Sequence, residues 1–315
     1  MAKGQENHNT VQYVENLKKS FKIVRRNKYL WVLGFLAGSS FTSFNYGTNL
    51  NGLFQQKINN STNAAGHTPR PFDGNLFITN ILNWCKDHWF FILIIAIALL
   101  LVFLALVILS IMSKAGLVFS VIEIAEGRQS SFGQALKFGL HKFWKVLGLS
   151  LLISLVVLAV IVVLVSPALV FWHFKALFIL YIFLIILPAI AISVFAGIIF
   201  EYALRFIALH EKKIIESVKS SVSVIKEKKK ETLLVWLITV GIGLVGGTVL
   251  LIILLLAALV LFLVGLLFFI MAPIAGIIFA VLAVCAFFAA IFLASGFISA
   301  IISAFWTLSY QDIAT

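Results

Sequence analysis

The chain has 315 residues, 62% of them hydrophobic and 11% charged, with a formal net charge of +12 at pH 7. Soluble domains carry about 45–50% apolar and about 25% charged residues, and disordered chains are poorer still in apolar side chains, so both classes are excluded. Two cysteines, Cys85 and Cys285, are too few for a disulfide scaffold. An integral membrane protein remains.

The first 28 residues hold seven basic side chains: Lys3, Lys18, Lys19, Lys22, Arg25, Arg26 and Lys28. A secretory signal needs an apolar run of about 7–15 residues directly after its basic start. None is there, so the N-terminus is expected to be retained. Residues 1–28 are read as a cytoplasmic segment with an amphipathic helix over 12–26. The rest, 29–315, is read as a single transmembrane domain. Apolar runs long enough for a hydrocarbon core about 30 Å thick fall at about 29–46, 88–112, 146–167, 176–204, 233–263 and 274–308. They are continuous rather than alternating, and lipid satisfies no open sheet edge, so all six are expected to be helices. Residues 47–87 form the outer loop, where the glycosylation sequons within 59–62 are read as chance. From Thr232 to Gln311 there is no charge in 80 residues. That is roughly 120 Å of helix, which Pro273 divides into two long spans.

Lys and Arg divide unevenly among the connecting segments. The N-terminal segment has seven, 47–87 has three and 113–145 has five. Lys175 stands alone, 205–231 has eight, and the last turn and the C-terminus have none. Alternate segments thus hold 20 against 4. Basic loops stay inside, so the chain is expected in the cell membrane with both termini cytoplasmic. The tryptophans fall near predicted span ends, where an indole prefers the headgroup level. Trp236 and Trp306 bracket the uncharged stretch, and an even number of spans between them agrees with the charge rule. Alternatively, one of the two simply packs in the bundle.

The basic segments share a design. Leu17, Phe21 and Val24 recur at i, i+4, i+7, as do Leu136, Leu140 and Phe143, and broadly Val218, Val222 and Ile225. Ser131 with Gln134 has the form of a capping box. Amphipathic helices are expected at 12–26, 131–144 and 213–226, lying along the inner membrane surface, with Phe132, Leu136, Leu140 and Phe143 pointing inward. The even spans carry small-Gly pairs, Ala115-Gly116, Ala196-Gly197 and Ser295-Gly296, read as the places where those spans meet. The fold class is therefore all-α integral membrane: six transmembrane helices as three repeats of an amphipathic helix and a transmembrane hairpin. Gly243 and Gly247 form a GxxxG, read as intramolecular packing.

Glu201 and Arg205 lie four apart and can pair on one helix face. Each ion alone would cost about 2.5–3.5 kcal/mol at the bilayer centre, so a structural pair at the membrane boundary is the favoured reading, with a gate or lipid-headgroup site as the alternative. Glu123, Glu126 and Arg128 are read as a solvated helix end. The six histidines show no metal-ligand spacing, and no catalytic or phosphate-binding motif is present. No cofactor and no enzymatic activity are expected. Lys137, Lys219, Lys228, Lys229 and Lys230 are read as contacts for anionic headgroups on the cytoplasmic face. The same topology explains the net charge without nucleic acid.

Residues Glu201 to Leu237 carry a span, a basic turn, a helix with Ser217 and Ser221 at its small positions, a second basic turn and the next span. Residues 127–152 and the terminal Tyr310-Gln311-Asp312 follow a similar design. Together these segments make up about a fifth of the chain. In them it resembles a group of prokaryotic polytopic membrane domains that includes the membrane domain of glycerophosphoryl diester phosphodiesterases. The catalytic domain of those enzymes has no counterpart here, so the resemblance implies an architecture and no activity. The expected function is a non-catalytic membrane protein that organises lipid or a protein partner through its cytoplasmic amphipathic helices. A permease for a small neutral solute or lipid is the alternative.

Overall fold

Apolar runs this long have one way to satisfy their backbone in lipid, and the computed structural model shows it. It describes residues 3–38, 84, 86–167 and 175–314, and among these there is no strand. Eight helices follow in order: α1 (Lys3–Arg26), α2 (Tyr29–Gly38), α3 (Trp89–Ala125), α4 (Phe132–Val165), α5 (Lys175–His210), α6 (Ile214–Glu227), α7 (Lys229–Met271) and α8 (Pro273–Ala314). Five of them, α3, α4, α5, α7 and α8, are long and apolar enough to cross a membrane. The first expected span is represented by α2; its remainder, with most of the loop 47–87, lies outside the described residues.

The uncharged stretch forms two continuous helices. Ala272 between them is extended (φ −153°, ψ 99°), as the residue before a proline is driven to be, and Pro273 opens α8. Pro188 lies inside α5 without ending it. At the start of α4 the capping box forms: the Gln134 N–H donates to Ser131 Oγ (3.4 Å) and the Ser131 N–H donates to Gln134 Oε1 (3.0 Å).

Two of the differences from the expected bounds move charged residues. α3 continues thirteen residues past the expected end at 112, so Lys114 belongs to a span helix and not to a loop. α4 runs unbroken from Phe132 to Val165, so residues 131–144 are the inner extension of a span and not a separate surface helix. α1 and α6 do stand apart from the helices that follow them, by Asn27-Lys28 and by Lys228.

The chain divides into two compact units. The smaller, Ser40–Ile108, contributes the first part of α3, where large apolar side chains from Trp89 to Ile108 are exposed. The larger, Met1–Ser39 with Leu109–Thr315, holds the packed core. Among the described residues that core lies at the helix ends carrying the basic segments. Val24, Leu30, Leu33, Leu117, Val121 and Ala304 form one cluster. Val118, Leu149, Ala203 and Ile207 form a second, and Tyr202, Val235, Phe305 and Tyr310 a third. Beyond the core, α5 from Leu177 to Phe195 and α8 from Ile274 to Leu293 present exposed apolar side chains. Each such stretch is about 20 residues, or roughly 30 Å, the thickness of the hydrocarbon core.

The buried faces correct the expected stripes. On α4 the buried residues are Ala135, Gly139, Lys142, Val146 and Leu149, while Leu140 is 58% and Phe132 is 37% exposed. On α6 they are Ser217, Ser221 and Ile225, and on α1 Asn16, Ser20, Ile23 and Val24, with Phe21 exposed. Small residues win the interior because they let backbones touch. A Cβ on Gly116 would stand 2.5 Å from the Ala135 carbonyl oxygen, and one on Gly139 would overlap the Met112 carbonyl. The small-Gly pairs do not meet one another. Gly116 faces α4, Gly296 faces Trp31 and Phe35 of α2, and Gly197 faces open space. Nor does the GxxxG of α7 pack within the molecule: Gly243 and Gly247 meet nothing, and the neighbouring Gly246 takes the contact with Ile298.

Candidate functional site

The polar groups of the core gather where α5 and α8 end. Arg205 is fully buried, and its Nη1 donates to the Glu201 carboxylate (2.5 Å) and the Glu201 carbonyl (2.6 Å). Its Nη2 donates to the Ser303 carbonyl of α8 (3.2 Å), and its guanidinium lies 5.8 Å from the Trp306 ring centre. Nε has no partner. Tyr202 stands edge-on to Trp306 and shares a hydrogen bond with Thr232 Oγ1 of α7 (3.2 Å). Tyr310 stands edge-on to Phe206 and meets His210 Nδ1 at 3.3 Å. Asn16 of α1 donates to the Asp312 carboxylate at 2.5 Å. Burial, with Glu231, Tyr202 and Asp312 nearby, pushes the Tyr13 phenol up to about 12, so it stays neutral against this ring of groups.

A second charged contact fixes the α5–α6 turn. Lys142 of α4, 3% exposed, pairs with Glu211, which is 72% exposed, and Lys145 Nζ donates to the Glu211 carbonyl at 3.1 Å. Glu211 is held at φ +54°, a left-handed conformation that side chains other than glycine rarely adopt. The hydrogen bond and charge of Lys142 hold its carboxyl below the usual glutamate range. A depressed acid stabilises above the unfolded-state value and loses that contribution as pH falls through the folded value. We expect the docking of α6 to be level from pH 7 to 5 and to weaken below the ordinary value of 4.5. Hydrogen exchange of α6 against pH checks this, and Glu211→Gln should exchange faster throughout without the acid limb.

The other charged groups sit at the rim. Arg128 bridges Glu123 (2.5 Å) and Glu126 at the end of α3, exposed, as the solvated-end reading expects. Lys137, Lys219, Lys228, Lys229 and Lys230 are all exposed. Glu201 and Arg205 are brought together as their spacing predicts, with the carboxylate 35% exposed and the guanidinium sealed. Trp306 is buried beside Arg205, which is the alternative reading that one of the two tryptophans packs in the bundle. Lys114, Lys142, Tyr202 and Tyr310 were not legible as site residues. Their partners lie on other helices, and no local spacing marks them. Among the described residues no group of His, Cys, Asp and Glu converges as a metal site requires. An apolar groove of about 250 Å³ runs along α7 and α8 between Gly247, Leu254 and Phe287.

Among the described residues, helices of this length and hydropathy define an all-helical protein of the multi-pass membrane class. The model of a family of unknown function, DUF7544, matches residues 19–310, and the chain belongs to that family. No curated protein matches it, and no solved structure does.

Proposed function

We propose that this is a non-catalytic, six-span protein of the cell membrane, both termini cytoplasmic, that organises anionic lipid or a protein partner through its basic helices. The observation that carries the reading is the placement of charge. All five lysines Lys137, Lys219, Lys228, Lys229 and Lys230 are exposed at the packed end, next to apolar stretches of membrane thickness. Each basic residue near an anionic leaflet contributes about 1 kcal/mol, screened by salt. Trp144, 77% exposed between these lysines and the apolar part of α4, suits the headgroup level. The threefold repeat belongs to this proposal. In support, each basic segment buries a pair four apart, one residue ahead of its apolar stripe: Asn16 and Ser20, Ala135 and Gly139, Ser217 and Ser221. So does the likeness to the phosphodiesterase membrane-domain group, as an architecture.

Reconstitution tests it. With spin-labelled lipids, phosphatidylglycerol is expected to be enriched around the protein over phosphatidylcholine. Changing the five lysines to glutamine should abolish most of that enrichment, and so should high salt. Equal enrichment of both lipids would remove the reading, and flux of a neutral solute into the same liposomes would favour a permease instead. On a cysteine-free background, a cysteine at 65 should label from outside, and cysteines at 5, 228 and 314 should not.

A further inference from the structure

One cation of the packed end lacks an acid partner. Lys114 of α3 lays its ammonium 4.8 Å from the ring centre of Phe200 on α5. Among the described residues no salt bridge or hydrogen bond engages it, and Glu201 is the residue next to Phe200. Glu201 spends Oε2 on Arg205 and is 35% exposed, so its second oxygen is open. An ammonium over the Phe200 ring and, on the next residue of α5, a carboxylate with an open oxygen thus carry opposite charges without forming an ion pair.

The depth of the two groups agrees. Lys114 lies six residues past Ile108 (37% exposed), and Glu201 six residues past Phe195 (47% exposed), the last exposed large apolar side chain of each helix before the packed end. That is roughly 9 Å along each axis beyond the apolar stretch, at the headgroup level. There is also room beside the carboxylate. Gly197 lies one turn from Glu201 on the same face of α5, and a Cβ there would meet nothing within 4 Å. Ser193, one turn further, turns its hydroxyl back onto the Ala189 carbonyl at 2.9 Å and presents no polar hydrogen outward.

We propose that one ammonium-bearing phospholipid binds where α3 meets α5 at Phe200, its phosphate on Lys114, its ammonium on the open oxygen of Glu201, and an acyl chain along Gly197 and Ser193 of α5. The carboxylate selects the headgroup. Beside the phosphate it repels a second negative charge and rewards a donor, and a charge-assisted bond from an ammonium is about twice as strong as one from a glycerol hydroxyl. Arg205, sealed behind Glu201, fixes that carboxylate and does not itself reach the lipid. This site goes beyond the general anionic attraction of the basic helices and predicts the opposite preference at one place.

Native mass spectrometry of the full chain in mild detergent tests it, with phosphatidylethanolamine, phosphatidylcholine and phosphatidylglycerol offered at equal concentration. One phosphatidylethanolamine per chain should be retained about fivefold better than either other lipid, the factor that one interaction of surface strength supplies. The comparison with phosphatidylcholine needs no variant: its phosphate is the same and its ammonium has no N–H. Lys114→Gln should lose this retention and Lys114→Arg should keep it. Equal retention of the three lipids, or stronger retention of phosphatidylglycerol, overturns the site. In that second outcome the general reading still stands. If phosphatidylethanolamine is retained while the five-lysine variant shows no change in lipid enrichment, the site stands and the general reading falls.

Discussion

Glu201→Ala should destabilise the packed end by about 3–5 kcal/mol, and by more than Arg205→Met does. The order runs against burial, since Arg205 is the sealed member of the pair and Glu201 is a third exposed. The reason is what each variant leaves behind. Without the carboxylate, a guanidinium that cannot lose its proton stays in the core with only carbonyl partners. Without the guanidinium, the carboxylate rehydrates, and methionine fills most of the vacated space beside Trp306. The Ser303 carbonyl keeps a donor in Thr307 Oγ1 at 2.7 Å. Replacing both members, Glu201→Leu with Arg205→Met, should come within about 1 kcal/mol of the parent, because a well-packed apolar pair often equals a buried ion pair. Denaturant titration in mixed micelles, read by tryptophan fluorescence, measures all three. If Arg205→Met proves the most damaging, the carbonyls and Trp306 hold the cation, and the acid is incidental.

That pair was legible because it is local: four residues apart on one helix, with nothing else needed. The same holds for the capping box at Ser131 and for the break at Pro273, each written in adjacent residues. The buried face of α4 was not legible. Apolar periodicity points to Leu136, Leu140 and Phe143, and lipid accepts those side chains as readily as a core does. In a membrane the hydrophobic pattern loses its power to tell inside from outside, and close backbone approach decides instead. The choice then passes to Ala135 and Gly139, which a hydropathy scale ranks below leucine. Lys142 escaped for another reason. Its acid is 69 positions away in a turn, so only the fold makes it a core residue. Lys114 was hidden by counting it with the loop that follows, while α3 carries it eleven residues inside the helix end.

Gly116→Val, Gly197→Val and Gly296→Val should differ sharply, although the three glycines occupy matching places in the sequence. At Gly296 a Cβ would overlap the Trp31 carbonyl and stand 3.0 Å from Phe35 Cβ, and at Gly116 it would stand 2.5 Å from the Ala135 carbonyl oxygen. Both obstacles include backbone of a packed helix, which cannot swing aside as a side-chain tip can. Valine adds two more carbons on a χ1 that a helix nearly fixes. Overpacking costs typically 1–3 kcal/mol, and these two contacts belong at about the upper end, because whole helices must separate. α2 meets α8 face to face here: a Cβ on Gly34 would overlap the Gly296 carbonyl in return. At Gly197 the space is open, so valine meets no obstacle and gains a few tenths of a kcal/mol in helix propensity, about the difference between the two residues. Thermal unfolding in detergent should therefore show two large losses and one unchanged or slightly raised midpoint. Three equal losses would mean that the small-Gly pairs do meet in the membrane, and that α5 packs through Gly197 after all.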